Sequence, residues 1–360
     1  KAADAFARRV EDDAAAGRDP FAESGMKVSA LVELFLKAME DRLRDGRVSG
    51  TRMRNLRIAC DRSILPRLGK FKLSEVTPDR LEAWYIDLVK RDGLAPATAK
   101  ARGQELKLIF DYGSRKGLVG SSPVPEFLRD LRGIKSKPVR VMSLAEVRAV
   151  LKAADTRGKG AHERTFRLMQ CAVHIAAFCG LRQGEILGLK RKHVRLAEGF
   201  IEVRHSLDFF RQLKGPKTAA GVRDVPMTPH IAALIRDWLS DHFVANEDDL
   251  VFASPSGLPM HGTSVSSVLW HPILKRAGLL RESDNFHFHT LRHFASSWWI
   301  HNGMPLIDTS SLLGHSKFDL TLQIYAHAIV GGNRREDAFA RMAAGLLAAP
   351  EGSLEAAARP

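Results

Sequence analysis

The stretch LLGHSKFDLTLQIYAHA, residues 312–328, sets Tyr325 between His315 and His327, and the whole chain of 360 residues holds only three tyrosines. A free phenol titrates near pH 10 (about), so it attacks poorly at neutral pH unless other groups assist it. Three further stretches carry such groups. CGLRQGEILGL holds Arg182 at a turn-to-helix junction, GPKTAAGVRDV holds Lys217 at the tip between two strand-like segments, and HFHTLRH holds His287, His289, Arg292 and His293. On a phosphodiester, two guanidiniums could hold the non-bridging oxygens and neutralise the charge that builds in a pentavalent transition state. Arginine suits this better than lysine, because its planar fork donates in pairs and stays ionised. A lysine or histidine beside the leaving oxygen could protonate it, worth roughly 10²–10⁴-fold in rate. The phenol would then carry the phosphoryl group covalently. Exchanging one phosphodiester for another is nearly isoenergetic, so the set demands no nucleotide cofactor, and two arginines with a lysine can take a metal's charge-neutralising role.

Each group also has a plain structural reading. Arg182 alone could be a solvated helical arginine, Lys217 an exposed loop charge, and Tyr325 a core aromatic at helical spacing from Leu322. His289 and His293, four apart beside His287, could form half of a zinc site. No glutamate follows His289 as a metalloprotease motif requires, and no C-x-x-C pair exists to complete the ligands. A hydrolase fits worse: there is no G-x-S-x-G elbow, and Cys171 and Cys179 sit in an apolar helix, where thiols are usually inert. Tyr85 and Tyr112 fall on helices with apolar neighbours and read as core.

The elements that must position these groups are mostly helical. SALVELFLKAMEDRL repeats Leu31, Leu34, Phe35 and Met39 at helical spacing; PDRLEAWYIDLVKR and PATAKARGQELKLIFDYGSRKG follow, with Pro96 suited to a first turn. LRGIKSKPVR is basic and proline-containing, a linker. After it, Ser143 and Glu146 stand at capping-box spacing, with Leu144, Val147 and Leu151 on one face, which marks a fresh domain. FRLMQCAVHIAAFCG is apolar on most sides and belongs inside a core. FIEVRHSL and VRDVPM alternate as strands, and the remainder reads as helical to about Leu347.

Composition points to a polyanion. Lys and Arg number 55 against 41 Asp and Glu, a formal net charge of +14, and between Arg44 and Lys72 nine basic residues face two acids. No apolar run reaches the roughly 18 residues that span a bilayer, and no basic-then-apolar leader opens the chain. Three cysteines without metal-ligand spacing suit a reducing cytoplasm. The chain opens on Lys1 rather than Met, as a piece of a longer protein would.

In order and spacing, GLRQGEILGL, PKTAAGVRDVPM, HTLRHFAS and LLGHSKFDLTLQIYAH resemble the tyrosine recombinases, the phage-integrase-like enzymes, and the resemblance covers roughly residues 26–347. It implies a mainly α fold with a small antiparallel β-sheet: a helical core-binding domain plus a mixed α/β catalytic domain, closing as a C-shaped clamp on DNA. The domains would run 1–25 as the end of an arm-binding domain, 26–132 as the core DNA-binding domain, and 133–142 as a linker. The catalytic domain would span 143–330, with a C-terminal helix over 331–349 and a flexible tail over 350–360. By the same likeness Arg182 and Arg292 clamp the phosphate, Tyr325 is the nucleophile and Lys217 the general acid. His289 would assist proton transfer and His315 would bond a non-bridging oxygen. Glu185 matches an acidic position that supports the site, an intrahelical pair being the alternative. Arg44, Arg47, Arg52, Arg54, Arg57, Lys70, Lys72, Lys135 and Lys137 would contact DNA.

The implied activity is site-specific recombination of a mobile element through a 3′-phosphotyrosine, with no metal and no nucleotide cofactor. The implied partners are double-stranded DNA, further copies in a tetramer on synapsed sites, and a directionality or DNA-bending factor, with no membrane, in a bacterial cytoplasm at the nucleoid. Residues 1–19 resemble the closing helix of an arm-binding domain, and Phe339, Met342, Ala343, Leu346 and Leu347 form an apolar stripe for a neighbouring subunit or for the same chain. Two other readings stay open at this point: a type IB topoisomerase built on the same residues, and a non-catalytic DNA-binding regulator.

Overall fold

In the computed structural model the chain divides into two compact units, one within Lys1–Pro138 and one within Val139–Pro360. The structure describes residues 25–134, 140–216, 218–262, 264–280 and 286–314. The expected segments 1–24, 135–139 and 315–360 therefore lie outside the described residues, and with them the arm-domain helix, Lys135, Lys137, the C-terminal stripe and the tail.

The first unit is helical: α1 Val28–Arg44, α2 Gly50–Ala59, α3 Leu65–Leu68, α4 Pro78–Lys90, α5 Pro96–Arg115 and α6 Val124–Asp130. A π-helical turn, Cys60–Ile64, joins α2 to α3, where Pro66 has no N–H to continue an α ladder. On α1 the residues Leu31, Phe35 and Met39 are buried as their spacing predicts, but Leu34 is exposed, because the stripe that meets the core is completed by Val28 and Val32. These side chains pack with Leu56, Ile64, Trp84, Leu106 and Phe110, and the Trp84 indole N–H donates to Ser63 O at 2.8 Å. Tyr85 and Tyr112 are partly buried against this core, Tyr85 edge-on to Phe127 and Tyr112 tilted against Phe35.

The second unit begins with α7 Leu144–Ala154, whose Ser143 and Glu146 form the expected reciprocal cap. Val147, Val150 and Ala154 face inward, while Leu144 is exposed. Next comes α8 Glu163–Cys179, buried continuously from Leu168 to Ala177. It runs through the core with α7 and other helices packed around it, which is why its sequence has no polar face there. Gly180 ends it in the left-handed region at φ 63°, and a Cβ there would meet the Trp299 ring at 2.9 Å. The short α9, Gln183–Leu187, starts three residues later.

The sheet follows: β1 Val194–Arg195, β2 Phe200–Val203, β3 Ser206–Leu207, β4 Leu213–Lys214 and β5 Arg223–Pro226. The order is β1-β2-β5, all antiparallel, with Ile201 opposite Val225 and Val203 opposite Arg223. The expected simple hairpin between the two strand patches is more elaborate. A separate β3–β4 ribbon is inserted between β2 and β5, so Lys217 belongs to the connection from β4 to β5. The ribbon rests on α9 through glycines: a Cβ on Gly184 would sit 2.6 Å from Leu207 O and from Ser206 Oγ.

Four helices complete the described unit: α10 Pro229–Asp241, α11 Trp270–Arg276, α12 Thr290–His301 and α13 Leu306–Leu313. The expectation of continuous helix after the sheet fails between α10 and residue 262. There Pro255, Gly257 at φ 77° and Pro259 enforce turns, and the chain closes isolated bridges Lys190–Leu250 and Ala253–Pro259 instead. Among the described residues no helix is long and apolar enough to cross a membrane.

Gly184→Ala should cost about 1–3 kcal/mol, because an added methyl must push the β3 backbone away from α9. Urea denaturation of the full chain measures this, and an unchanged midpoint would mean the ribbon is free to move.

Candidate active site

Arg182 sits at the N-cap of α9 in extended backbone geometry, and its side chain is 37 % exposed. Its backbone N–H donates to Glu185 Oε2 at 2.8 Å, and its Nη1 donates to Glu185 Oε1 at 2.7 Å. Its Nη2 reaches the Gly314 carbonyl at 3.4 Å. Arg292 comes from α12 and is only 2 % exposed. Its Nη1 donates to Gly180 O at 2.7 Å, its Nη2 donates to Leu313 O, and its Nη1 lies 3.8 Å from Glu185 Oε2. The two arginines expected to act together are thus gathered on one carboxylate, though with unequal exposure.

Glu185 is more than half of an intrahelical pair. It is buried, and besides Arg182 and Arg292 it takes both terminal nitrogens of Arg223 from β5, at 3.0 and 2.8 Å. Burial alone would raise its carboxyl. The hydrogen bonds and charge of Arg223, with the charges of Arg182 and Arg292, outweigh that and bring it down to about 2. Glu185 is therefore ionised at neutral pH, and three guanidiniums against one carboxylate leave the cluster positive.

His289 is the N-cap residue of α12, its ring perpendicular to that of His293 with centroids 4.8 Å apart. Burial, then the neighbouring His293, Arg292, Arg182 and His287, push its pKa down to about 3, and burial with Arg292 and His287 pushes buried His293 down to about 4. Both rings are neutral at pH 7. Lys217, His315 and Tyr325 lie outside the described residues. Gly314, the residue before His315, is described: it ends α13 with φ 64°, and a Cβ there would meet Ala220 O and Arg223 Nη1 at 2.9 Å each. Gly314, just before His315, and Gly221, four residues after Lys217, are both held against the arginine cluster.

Sequence reasoning passed over Arg223. The signal was present in GVRDVPM, where alternation puts Arg223 on the same inward face as Val225 and Met227, and a charge on a core-facing strand position demands a buried partner. All three cysteines are buried with thiols pushed up to about 12, chiefly by that burial.

The basic section of the first unit is less bare than its local count suggests. Arg44 pairs with Asp41 at 3.3 Å, Arg47 with Asp45, Arg52 with Glu105 and Arg57 with Glu40. Arg54, Lys70 and Lys72 are exposed, and the Lys70 ammonium lies 5.1 Å from the Phe71 ring centre. Glu40, Asp41 and Glu105 stand outside the stretch in which charges were counted.

The sequence model described as the phage integrase family matches residues 140–330, more than half of the chain. This chain belongs to the phage integrase family, the tyrosine recombinases. It is 25 % identical over 280 residues to the phiRv2 prophage integrase of Mycobacterium tuberculosis, covering 76 % of this chain and 69 % of that one. It is 27 % identical over 241 residues to the tyrosine recombinase XerD of Pseudomonas aeruginosa, covering 66 % and 72 %. The fold resembles the Tn1549 transposon integrase in complex with a circular intermediate DNA, with TM-score 0.70, 20 % identity and 88 % and 99 % coverage. It also resembles lambda integrase in a tetramer bound to a Holliday junction, with TM-score 0.63, 17 % identity and 82 % and 79 % coverage.

The histidine shifts set a pH dependence. Their folded pKa values lie below the unfolded value of about 6.5, so the unfolded chain binds more protons between roughly pH 3 and 6.5 and stability falls as pH drops through that window. Replacing His289 by Gln should flatten this decline in urea midpoints measured from pH 7 to 4. An equally steep decline would show that His289 is not buried neutral.

Proposed function

We propose that this recombinase cuts and rejoins double-stranded DNA at specific sites, with Tyr325 as nucleophile and Arg182, Arg292, Lys217, His289 and His315 as its assisting groups. The observation that supports this most is the convergence of Arg182 and Arg292 on Glu185 beside the Gly314 carbonyl, from which the chain runs on to His315 and Tyr325. A net positive, partly buried site of this kind attracts a phosphodiester and strengthens each charge-assisted hydrogen bond to it.

In the proposed reaction the Tyr325 oxygen attacks phosphorus and the bond to the 5′ oxygen breaks. Lys217 gives that oxygen its proton, leaving a free 5′ hydroxyl and a 3′-phosphotyrosine. Partly exposed Arg182 donates to the non-bridging oxygens. Arg292, held by two carbonyls on the same carboxylate, adds the second positive charge. Neutral His289 bonds the scissile phosphate and assists transfer of the phenolic proton to solvent, and His315 steadies a non-bridging oxygen. Attack by a 5′ hydroxyl of a partner strand reverses these steps, so the bond energy is kept and the product is a new junction. The reading extends to DNA contacts through exposed Arg54, Lys70 and Lys72 of the first unit, to a tetramer of this chain on paired sites, and to a directionality or DNA-bending factor. It places the protein with bacterial DNA in the cytoplasm.

A nicked suicide duplex, selected as the one the parent protein traps from a randomised pool, tests the chemistry on a denaturing gel in EDTA. Tyr325→Phe should abolish the covalent adduct. Lys217→Ala should slow its formation by roughly 10²–10⁴-fold, with a 5′-phosphorothiolate leaving group restoring most of the rate. An adduct that survives Tyr325→Phe, or activity that vanishes in EDTA, would contradict the mechanism.

A further inference from the structure

Three successive carbonyls at the end of α13 each receive one arginine. Leu312 O accepts from Arg223 Nε at 2.5 Å, Leu313 O from Arg292 Nη2, and Gly314 O from Arg182 Nη2 at 3.4 Å. The last carbonyls of a helix have no partner within it and carry partial negative charge. Here their partners come from β5, α12 and α9, and the same three arginines surround Glu185. Of the three, Arg223 cannot serve as a surface ligand: its side chain is 5 % exposed, and both terminal nitrogens are taken by Glu185. Its Nη1 also donates to Gly221 O at 3.2 Å, in the connection that follows Lys217.

We propose that Arg223 is a positioning residue for strand cleavage, a latch that fixes the end of α13 and the connection after Lys217 against Glu185. The inference rests on the recombination reading above. Arg223 touches neither DNA nor the reacting atoms. It acts by setting where the chain enters the His315–Tyr325 segment, and by sharing Glu185, so that Arg182 gives that carboxylate a single side-chain N–H. The seat is built to backbone contact. Gly314 occupies the left-handed region, and a side chain there would collide with Ala220 O and with Arg223 itself. A lysine at 223 keeps the charge but has no fork to span a carboxylate and two carbonyls.

The test uses the full chain and the same trapped duplex. Arg223→Lys should fold and bind the duplex within about twofold of the parent, yet cleave it roughly 100-fold more slowly in a single turnover. Its cleavage rate should also gain a decline on acidification that the parent lacks, because Glu185 loses the partner that holds it ionised. A residue that only supported the fold would lower the folded fraction and leave the pH profile of the folded protein unchanged. Cleavage within threefold of the parent, or slowing fully matched by unfolding with no change in pH profile, overturns the proposal. Should Arg223→Lys not fold, Gly314→Ala decides, since it crowds the latch without removing a charge: slow cleavage with retained binding is expected, and parental cleavage overturns it. A parent that forms no adduct at all, with Tyr325→Phe indistinguishable from it, overturns the recombination reading and this inference with it.

Discussion

The second unit depends on one buried carboxylate. Taking Glu185 out of water is costly, and the cost is met only because three guanidiniums and a backbone N–H occupy its oxygens. That requirement ties together parts of the chain that local structure would leave independent: the turn after α8, strand β5, helix α12 and the end of α13. Removing any one partner would strand the others, so the cluster can exist only when the whole unit has folded. An active site assembled from distant segments thus inherits its geometry from an electrostatic constraint.

The same constraint leaves excess positive charge. Among the described residues one carboxylate faces three arginines, whose further partners include the neutral carbonyls of Gly180, Gly221 and residues 312–314. Carbonyl dipoles orient a guanidinium without cancelling its charge. The site is therefore rigid and still electropositive, which is the condition for stabilising a pentavalent phosphate without reorganising during the reaction. Neutral His289 and His293 belong to the same field, since neighbouring cations disfavour their protonation.

Much of this was legible in the sequence where the relevant physics is local. The spacing of Leu31, Phe35 and Met39, the Ser143–Glu146 cap and the mostly apolar surface of α8 all follow from helix periodicity and capping. Arg182, His289 and Arg292 were recognisable from their motifs, and the structure shows the arginines gathered. What escaped depends on contacts between distant residues. Arg223 looked like one polar position in an alternating strand, and only the register Val203–Arg223 and the approach of Glu185 give it a partner. The β3–β4 ribbon has strands of two residues each, too short for any period to show. The ion pairs of the basic stretch escaped a local count because Glu40 and Glu105, which lie outside it, reach Arg57 and Arg52. Lys217, His315 and Tyr325, read from their motifs, lie outside the described residues.

The most direct test of the central claim is to locate the covalent bond. Protease digestion of the trapped protein–DNA adduct, followed by tandem mass spectrometry, should place the nucleotide on Tyr325, in the segment that begins one residue after the latched carbonyl of Gly314. A nucleotide found on Tyr85, Tyr112, or any serine or cysteine would show that the arginine cluster does not serve this phenol, and the account would fall.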